Sequence, residues 1–269
     1  MPARHCQLGG GAATRATAFT LLELLVVMAT ISMLLSLLLP SLSRLRQGAK
    51  AVKCMASLRV VAFDFQLFAN DSFDEDRGDS TRLPGGVFHF EDFVERQYRV
   101  AEFWDGTPGV EQAMNPATDH MLCASVSGQL VRVPDTPCSS GAILPRANVG
   151  YSFNARLFQQ TKVVLGRPTA DLKTLVRSDI LQHPNVPIAF DVDGEEAEYK
   201  GKAPYFTAPP LEDGRKDIYT PPYGDVLWFP SYRHAGKMNV VFVGGYVRST
   251  ASAVDEHGWD WKYQPDPLK

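Results

Sequence analysis

The side chains that could bind a metal ion or act as nucleophiles are scattered along this chain of 269 residues. The cysteines are Cys6, Cys54, Cys123 and Cys138, and no two of them have the two-residue spacing of a zinc knuckle or a redox dithiol. The histidines are scattered, and no two of them lie at metal-ligand spacing from each other. The sequence signatures of serine hydrolases, P-loop proteins and zinc proteases do not occur. The sequence therefore predicts neither a catalytic site nor a bound transition metal, and we do not expect an enzyme.

Two of the cysteines, Cys123 and Cys138, are close in sequence and lie in a loop-like stretch. In an oxidising compartment they could form a disulfide that closes a short loop, which would stabilise the fold by about 3 kcal/mol. The alternative is that both remain unpaired thiols. The residues alone leave the two alternatives open.

Two acidic runs contain enough carboxylates to suggest a calcium site. The first is 71–79, and the second contains Asp191, Asp193 and Glu195. Oxygen-rich loops suit calcium, but the early glycine and Glu195 break the spacing of an EF-hand. Acidic surface turns are the ordinary interpretation, so calcium is a weak candidate and no other cofactor is expected.

A long apolar run extends from Ala18 to Leu39, and Glu23 is its only charged residue. As a helix it would measure about 33 Å, enough to cross the hydrocarbon core of a bilayer. A secretory signal peptide would be shorter and would end in a small-residue cleavage site, which does not occur before Pro40. A plain membrane anchor explains the length but not the carboxylate, because a charge in an apolar span is costly.

The residues around this run resemble the N-terminal signal of type IV pilins and type II secretion pseudopilins. In that family a short basic leader ends in a small residue, the next residue is usually Phe, and a Glu is fifth in the mature chain. Ala18, Phe19 and Glu23 match that arrangement, and the stretch 19–27 matches it almost letter by letter. Pro40 falls where many pilins have a helix-kinking proline. The family normally has Gly before the cut, whereas this chain has Ala18.

The resemblance implies a mechanism of processing and assembly. A prepilin peptidase would cut between Ala18 and Phe19 and usually methylates the new amino group on Phe19. The apolar helix would then anchor the chain in the inner membrane, with the rest of the chain outside the cytoplasm. Inside a filament, Glu23 would pair with the N-terminal amine of a neighbouring Phe19, because a buried charge is tolerated when it is paired. That pairing would set the register between subunits.

The helix is predicted to continue past the apolar run, from residue 41 to residue 70. Gly48 is the only glycine in this stretch and there is no proline. Apolar residues recur at spacings of three and four, which indicates one apolar stripe facing the core. The members of that stripe are Leu42, Leu45, Ala49, Val52, Ala56, Val60, Phe63 and Leu67. Basic residues lie largely off the stripe, where they could contact lipid head groups or simply be solvated: Arg44, Arg46, Lys50, Lys53 and Arg59.

The remaining residues, 71–269, form the predicted head. A short helix is expected from residue 90 to residue 103 and a strand from Val186 to Val192. Two β-rich runs, 239–243 and 246–250, are separated by Gly244-Gly245, which predicts a tight hairpin with a primed turn. We therefore expect an α+β, pilin-like fold in which an antiparallel sheet packs on the second half of the long helix.

The end of the chain carries a second resemblance. Many large-headed prepilin-like proteins end in a motif of His, nine residues and Asp-Gly before a last strand. Here His234 is followed by nine residues and then by Gly244-Gly245, so Gly replaces the Asp. The stretch 148–154 also resembles a segment of that family. This motif implies no enzymatic role.

These observations divide the chain into a leader at 1–18, a membrane and assembly helix at 19–40, an amphipathic continuation at 41–70 and a head at 71–269. The expected function is that of a structural subunit of a type IV pilus or a type II secretion pseudopilus. The expected partners are the prepilin peptidase, an inner-membrane assembly platform, membrane lipid, and further pilin-like subunits in a homo- or hetero-polymer. The net charge of −3 gives no indication of nucleic-acid binding.

An alternative function remains open. The chain could be a membrane-anchored extracytoplasmic binding domain or enzyme that uses a pilin-type signal. An enzyme should have a deep pocket with convergent polar side chains, which a filament subunit does not need. Trp228, Trp259 and Trp261 would form an adhesive face if exposed, or part of the core if buried.

Overall fold

The computed structural model describes residues 20–70, 87–98, 112–115, 119–132, 143–164, 167–173, 175–210, 228–252, 258–261 and 263. The chain divides into two compact units, Met1–Arg46 and Gln47–Lys269. The described part of the first unit is the beginning of a long helix. The second unit contains the rest of that helix and all the described strands.

The long helix is α1 (Leu21–Ala69), and short elements follow it. In chain order these are β1 (Val87–His89), α2 (Phe90–Tyr98), β2 (Gln112–Ala113), β3 (Val131–Arg132), β4 (Ile143–Leu144), β5 (Tyr151–Asn154), α3 (Ala155–Phe158), β6 (Gln159–Val164), β7 (Arg167–Lys173), β8 (Leu175–Arg177), β9 (Pro187–Asp191), α4 (Gly194–Tyr199), β10 (Phe206–Thr207), β11 (Met238–Phe242) and β12 (Val247–Thr250). Short 3-10 helices occupy Arg146–Asn148 and Ser178–Gln182. The architecture is therefore α+β, as the sequence predicts.

Helix α1 is a single element of 49 residues, which confirms the predicted long helix. Pro40 lies inside it. A proline has no backbone N–H, so the carbonyl of Ser36, one turn earlier, loses its usual helical donor. The kink predicted at Pro40 stays a prediction.

The face by which α1 packs is not the one that the sequence predicts. The buried residues are Cys54, Ser57, Leu58, Val61, Ala62, Phe65 and Ala69. The predicted stripe lies on the other side of the helix, where Val52 and Phe63 are 62% and 58% exposed. The two stripes have the same spacing, but most residues of the buried stripe lie two positions after a residue of the predicted stripe. A shift of two residues rotates a stripe by about 200° around the helix axis. The predicted core stripe of α1 is therefore wrong.

The main sheet has five strands in the order β10-β5-β9-β11-β12. Neighbouring strands are antiparallel except β10 and β5, which are parallel. The sheet is thus mixed rather than purely antiparallel as predicted. Strand β9 confirms the strand predicted at 186–192, and α2 confirms the short helix predicted to begin at residue 90.

Apolar side chains cover both faces of this sheet. On one face, residues such as Phe153 and Val241 join the buried stripe of α1 in a single core. Phe65 of α1 is fully buried, and its ring makes edge contacts with three further phenylalanine rings at centroid distances of 5.2 to 6.1 Å. On the other face, Phe190 and Phe242 pack in a second cluster with the C-terminal tryptophans. Alternation along the strands therefore buries side chains on both sides of the sheet.

The predicted C-terminal hairpin is present and consists of β11 and β12, which pair from Met238↔Thr250 to Val241↔Val247. Its connection is longer than predicted. The N–H of Gly245 donates to the carbonyl of Phe242 at 2.8 Å, and the N–H of Phe242 donates to the carbonyl of Tyr246 at 3.1 Å. Of the two glycines only Gly245 has a positive φ, +81°. A primed turn of Gly244-Gly245 needs a positive φ at its first central residue, so the predicted turn type is wrong.

Candidate functional site

The N-terminal end of α1 is closed by a capping box formed by Thr20 and Glu23. The backbone N–H and the hydroxyl of Thr20 both donate to Glu23 Oε2 at 2.9 Å. In return, the N–H of Glu23 donates to Thr20 Oγ1 at 3.2 Å. This reciprocal arrangement satisfies N–H groups that a helix start leaves without partners. Glu23 therefore has a local role within one chain, which the sequence prediction of pairing between subunits did not include.

The processing residues, Ala18 and Phe19, lie just before the described part of the chain. The cut and the methylation predicted there stay predictions, as does the pairing of Glu23 with a neighbouring amine. The structure shows that α1 begins at Leu21, so the predicted cut would leave two residues before the helix.

The apolar half of α1 satisfies its hydroxyl groups internally. Each hydroxyl between residues 24 and 41 donates to a carbonyl one turn earlier in the same helix: Thr30, Ser32, Ser36 and Ser41, at 2.7 to 2.9 Å. The side chains of this half are exposed, and its apolar window has a mean hydropathy of 2.4. By length and composition the helix could cross a membrane, although a signal sequence near an N-terminus has the same properties. Internal hydrogen bonding of the hydroxyls suits a surrounding without water.

A buried cluster of sulfur and imidazole groups lies where α1 meets the sheet. It consists of Cys54, Cys123 and His234, whose potential ligand atoms all lie within 4.8 Å of one another. The two sulfur atoms are 2.8 Å apart. Cys54 is fully buried and Cys123 is 5% exposed. Three residues that are widely separated in sequence thus share one site.

Different elements position the members of this cluster. Cys54 is the first buried residue of α1. Cys123 belongs to a loop of tight turns between β2 and β3, where its carbonyl accepts from the N–H of Val126 at 3.0 Å. Gly150 makes room for it, because a Cβ at that position would lie 2.5 Å from the Cβ of Cys123.

His234 is held by a two-residue turn of its own. The backbones of His234 and Lys237 exchange two hydrogen bonds at 3.1 and 3.2 Å. The intervening Ala235 and Gly236 have φ values of +54° and +77°. Both central residues are thus left-handed, as in a type I′ turn. The primed turn that the sequence predicts at Gly244-Gly245 occurs here instead.

The imidazole of His234 rests against a buried carboxylate. Its Nε2 lies 3.3 Å from Oδ2 of Asp191, a residue with no exposed surface. The same Oδ2 accepts the backbone N–H of Asn239 at 2.7 Å. Arg233 donates from Nε to Ser231 Oγ at 2.8 Å and from Nη2 to the carbonyl of Val192. The carboxylate of Asp191 therefore lies beside the imidazole of His234 on one side, and Cys54 and Cys123 lie within 4.8 Å of a ring nitrogen.

Burial and hydrogen bonding shift the pKa values of these groups. Burial raises the pKa of Asp191 despite its hydrogen bond to His234. Burial by itself lowers the pKa of His234, but hydrogen bonds to Asp191 and Cys54, together with their charges, outweigh it and raise that pKa to about 9. The hydrogen bond from Cys123 lowers the pKa of Cys54 against the effect of burial, while the same bond and burial raise the pKa of Cys123. In the reduced state the thiol of Cys54 therefore loses its proton more readily than the thiol of Cys123.

Three kinds of chemistry use such a set of groups. A thiolate beside a histidine and a carboxylate is a nucleophile in some enzymes, but a substrate cannot reach a fully buried Cys54. Cysteine and histidine can bind zinc, although a closed structural zinc site has four ligands and the cluster offers three within the described residues. The third is a bond between the two sulfurs.

The predicted C-terminal motif acts at two separate places on α1. At the first place, His234 lies beside Cys54 in the cluster described above. Gly245 lies against Gln66, whose Nε2 donates to the carbonyl of Val243 at 2.7 Å. Cys54 and Gln66 are twelve residues apart, which corresponds to about 18 Å along a helix. The motif therefore contacts α1 at two points about 18 Å apart, through His234 at one and through the hairpin connection at the other.

Close packing explains why Gly244 replaces the Asp of the motif. A Cβ on Gly244 would lie 2.9 Å from the Cβ of Pro184 and 3.1 Å from its carbonyl oxygen. The N–H of Gly244 donates to that carbonyl at 3.0 Å. The hairpin connection thus lies directly on the loop before β9, and a side chain would separate the two.

The remaining predicted site residues have different positions. Asp193 is the N-cap of α4, with Oδ1 accepting from the N–H of Glu196 at 3.0 Å, and Glu195 is exposed on the first turn of that helix. Because Asp191 faces His234 instead, these carboxylates have separate partners. The calcium site predicted there stays untested, and the acidic run 71–79 lies outside the described residues.

The disulfide predicted between Cys123 and Cys138 also stays untested, because Cys138 lies outside the described residues. The tryptophans are better defined. Trp261 is buried, and Trp228 and Trp259 pack beside it against Phe190 and Phe242. They are part of the core, not an exposed adhesive face.

Sequence reasoning did not find the cluster. Cys54 and Cys123 are 69 residues apart, and no local spacing connects them. The one available signal was the position of Cys54 on the stripe that contains Leu58, Val61 and Phe65, which marks it as a buried residue of α1.

Comparison of the chain with protein-family models, with curated proteins and with solved structures finds no match. The resemblance to pilins therefore rests on the residues quoted above, and function must be argued from the geometry of the chain.

Proposed function

We propose that this chain is a pilin-like structural subunit, anchored by α1 and assembled with other subunits through that helix. The observation that carries the proposal is the division of one continuous helix. Its first half is apolar and exposed, and its second half supplies core residues to an α+β head. A helix that only stabilised the head would not need an exposed apolar half, because large exposed apolar patches mark interaction sites.

The start of the helix supports the proposed processing. A cut between Ala18 and Phe19 would leave one residue, Phe19, before the Thr20 cap. The new amine would then lie close to the carboxylate of Glu23 in sequence and on the same helix end. In a filament that carboxylate would accept the amine of a neighbouring subunit, so a charge that is costly in lipid is paired.

The second half of α1 offers a further surface for assembly. Val52 and Phe63 are exposed on the face opposite the core. They continue the pattern of Leu42 and Leu45, which are also exposed. Neighbouring subunits packed side by side would cover these side chains and remove them from water.

The proposed setting is the inner membrane of a bacterium, with the head outside the cytoplasm before and after assembly. The proposed partners are a prepilin peptidase, an assembly platform and other pilin-like subunits. Within the described residues, a cleft of about 260 Å³ beside Cys123 is lined mainly by apolar or small residues such as Leu122, Ala124 and Val126, so this cleft gives an enzymatic function little support.

The first test is the N-terminus of the protein isolated from membranes of a host with a prepilin peptidase, measured by intact-mass and peptide mass spectrometry. A chain that begins at Phe19, with or without a methyl group, supports the proposal. A chain that begins near Met1 or is cut after Leu39 contradicts it.

A second test separates the two roles of Glu23. Glu23→Gln keeps a hydrogen-bonding side chain for the capping box but removes the charge, whereas Thr20→Ala weakens the cap and keeps the charge. If charge pairing guides assembly, Glu23→Gln loses filaments and Thr20→Ala retains them. Normal filament yield from Glu23→Gln, counted by electron microscopy, would refute the pairing.

A further inference from the structure

We propose that Cys54 and Cys123 form a disulfide bond that joins α1 covalently to the head. The inference rests on the proposed function in one respect, because a head outside the cytoplasm would meet oxidising conditions. It otherwise depends on the position of the two side chains.

The separation of the sulfur atoms is the first observation. They lie 2.8 Å apart, and a disulfide bond measures about 2.05 Å. Two thiolates on a tetrahedral zinc ion, each at about 2.3 Å from the metal, would be separated by about 3.8 Å. The sulfurs are therefore already closer together than a shared zinc ion allows, and a small rotation of either side chain brings them to bonding distance.

The surroundings of the pair also suit a bond. Tyr151 donates from its hydroxyl to the carbonyl of Cys54 at 3.2 Å, which fixes this turn of α1 against β5. A disulfide has no ionisable group, so it removes the need to keep a thiolate in a fully buried position. His234 then retains its contact with Asp191 at 3.3 Å.

The two cysteines differ in how easily another protein can reach them, and this difference sets the order of the steps that form the disulfide. Cys123 lines the cleft of about 260 Å³ together with Lys53 and Asn148, whereas Cys54 is fully buried. An extracytoplasmic protein with an exchangeable disulfide would form a mixed disulfide with Cys123, whose thiol loses its proton as its sulfur attacks and one sulfur of the partner leaves as a thiolate. The Cys54 thiolate would then attack Cys123 and release the partner as a dithiol. In total two thiols lose two protons and two electrons, and the partner disulfide takes them up.

The bond would have a mechanical consequence. It connects a residue of α1 to the loop between β2 and β3, 69 residues further along the chain. A load along α1 would then pass into the head through a covalent link as well as through packing. For a subunit held in a filament by that helix, such a link would resist extraction of the helix from its head.

Trypsin makes the test unambiguous, because it separates the three candidate cysteines. Cleavage after Lys53 and Arg59 releases Cys54 in peptide 54–59. Cleavage after arginine residues places Cys123 in peptide 100–132 and Cys138 in peptide 133–146. Full-length protein would be isolated from membranes after thiols are blocked with N-ethylmaleimide, then digested without reductant and analysed by mass spectrometry.

The expected result is a linked pair of peptides 54–59 and 100–132, lighter than their sum by two hydrogen atoms and lost after reduction. A link between 100–132 and 133–146 would overturn the proposal, as would blocked thiols at both Cys54 and Cys123. Co-purification of zinc in native mass spectrometry would overturn it in favour of a metal site. In Cys54→Ser the thiol of Cys123 should become reactive, whereas Cys138→Ser should leave the link intact.

The same sample separates this inference from the proposed function. A chain that begins at Phe19 but lacks the link refutes the disulfide alone. A linked chain that still begins near Met1 refutes the pilin-type processing alone.

Discussion

The contact between the C-terminal hairpin and the loop before β9 leads to a prediction about Gly244. In Gly244→Ala the new methyl group would lie 2.9 Å from the Cβ of Pro184 and 3.1 Å from both its carbonyl oxygen and Cε1 of Tyr246. All three contacts involve backbone or ring atoms, so the hairpin must move. Overpacking of this kind costs about 1–3 kcal/mol.

The predicted loss can be expressed as a melting temperature. For a domain of 150 to 250 residues, each kcal/mol lowers the midpoint by about 2–4 °C, so Gly244→Ala should lower it by about 2–12 °C. Gly244→Asp restores the residue of the resembled motif and should cost more than Ala, because its carboxylate would meet the carbonyl of Pro184. Full-length protein in detergent would be unfolded by heat and followed by near-UV circular dichroism, which reports on Trp259 beside Phe242.

The matched control is Gly236→Ala. Gly236 has a φ of +77° and open space around its Cβ position, so its substitution measures backbone strain without crowding. A left-handed conformation costs a residue with a Cβ about 1–2 kcal/mol. If Gly244→Ala had no effect, or if Gly244→Asp were more stable than the native protein, steric exclusion by Pro184 would be refuted.

Three further predictions concern the core and the cluster. Reduction of a Cys54–Cys123 bond, which closes a loop of 69 residues, should cost about 4 kcal/mol, measured as the fall in the denaturant midpoint when dithiothreitol is added. In the reduced protein, in which Cys54 has its thiol group, the pKa of His234 is raised to about 9, above its unfolded value of about 6.5, so its stabilisation is complete below pH 6.5 and is lost as the pH rises to about 9. Unfolding measured across that range should show this decline, and His234→Gln should flatten it. Phe65→Ala should lower the free energy of unfolding by about 3–5 kcal/mol, whereas Phe63→Ala, an exposed position on the same helix, should change it by about 0.5 kcal/mol or less.

Much of the long helix could be predicted from the sequence, because its signals are local. An apolar run without proline before Pro40 and a polar continuation with only Gly48 favour one long helix, and α1 extends from Leu21 to Ala69. Thr20 and Glu23 also have the three-residue spacing of a capping box, but a capped start was not among the predictions. The hairpin around Gly244-Gly245 follows for the same reason, since two β-rich runs with a glycine turn pair with their nearest neighbour.

The packing face of α1 could not be predicted, because the helix has two apolar stripes with the same periodicity. Val52 and Phe63 belong to one, and Leu58 and Phe65 belong to the other. Because the spacing is the same for both stripes, only contacts with the rest of the fold decide which of them is buried. Phe65 is on the buried stripe because its ring packs against phenylalanine rings of β1 and α2.

By itself, the sequence determined the local features of this protein: an apolar helix long enough to cross a membrane and a C-terminal hairpin. Only the tertiary structure decided that Cys54, Cys123, His234 and Asp191 share one buried site. Helix and turn signals depend on residues a few positions apart, and sequence spacing therefore records them. The cluster forms because a helix, a loop, a strand and a turn pack together, and such contacts leave no periodicity in the chain.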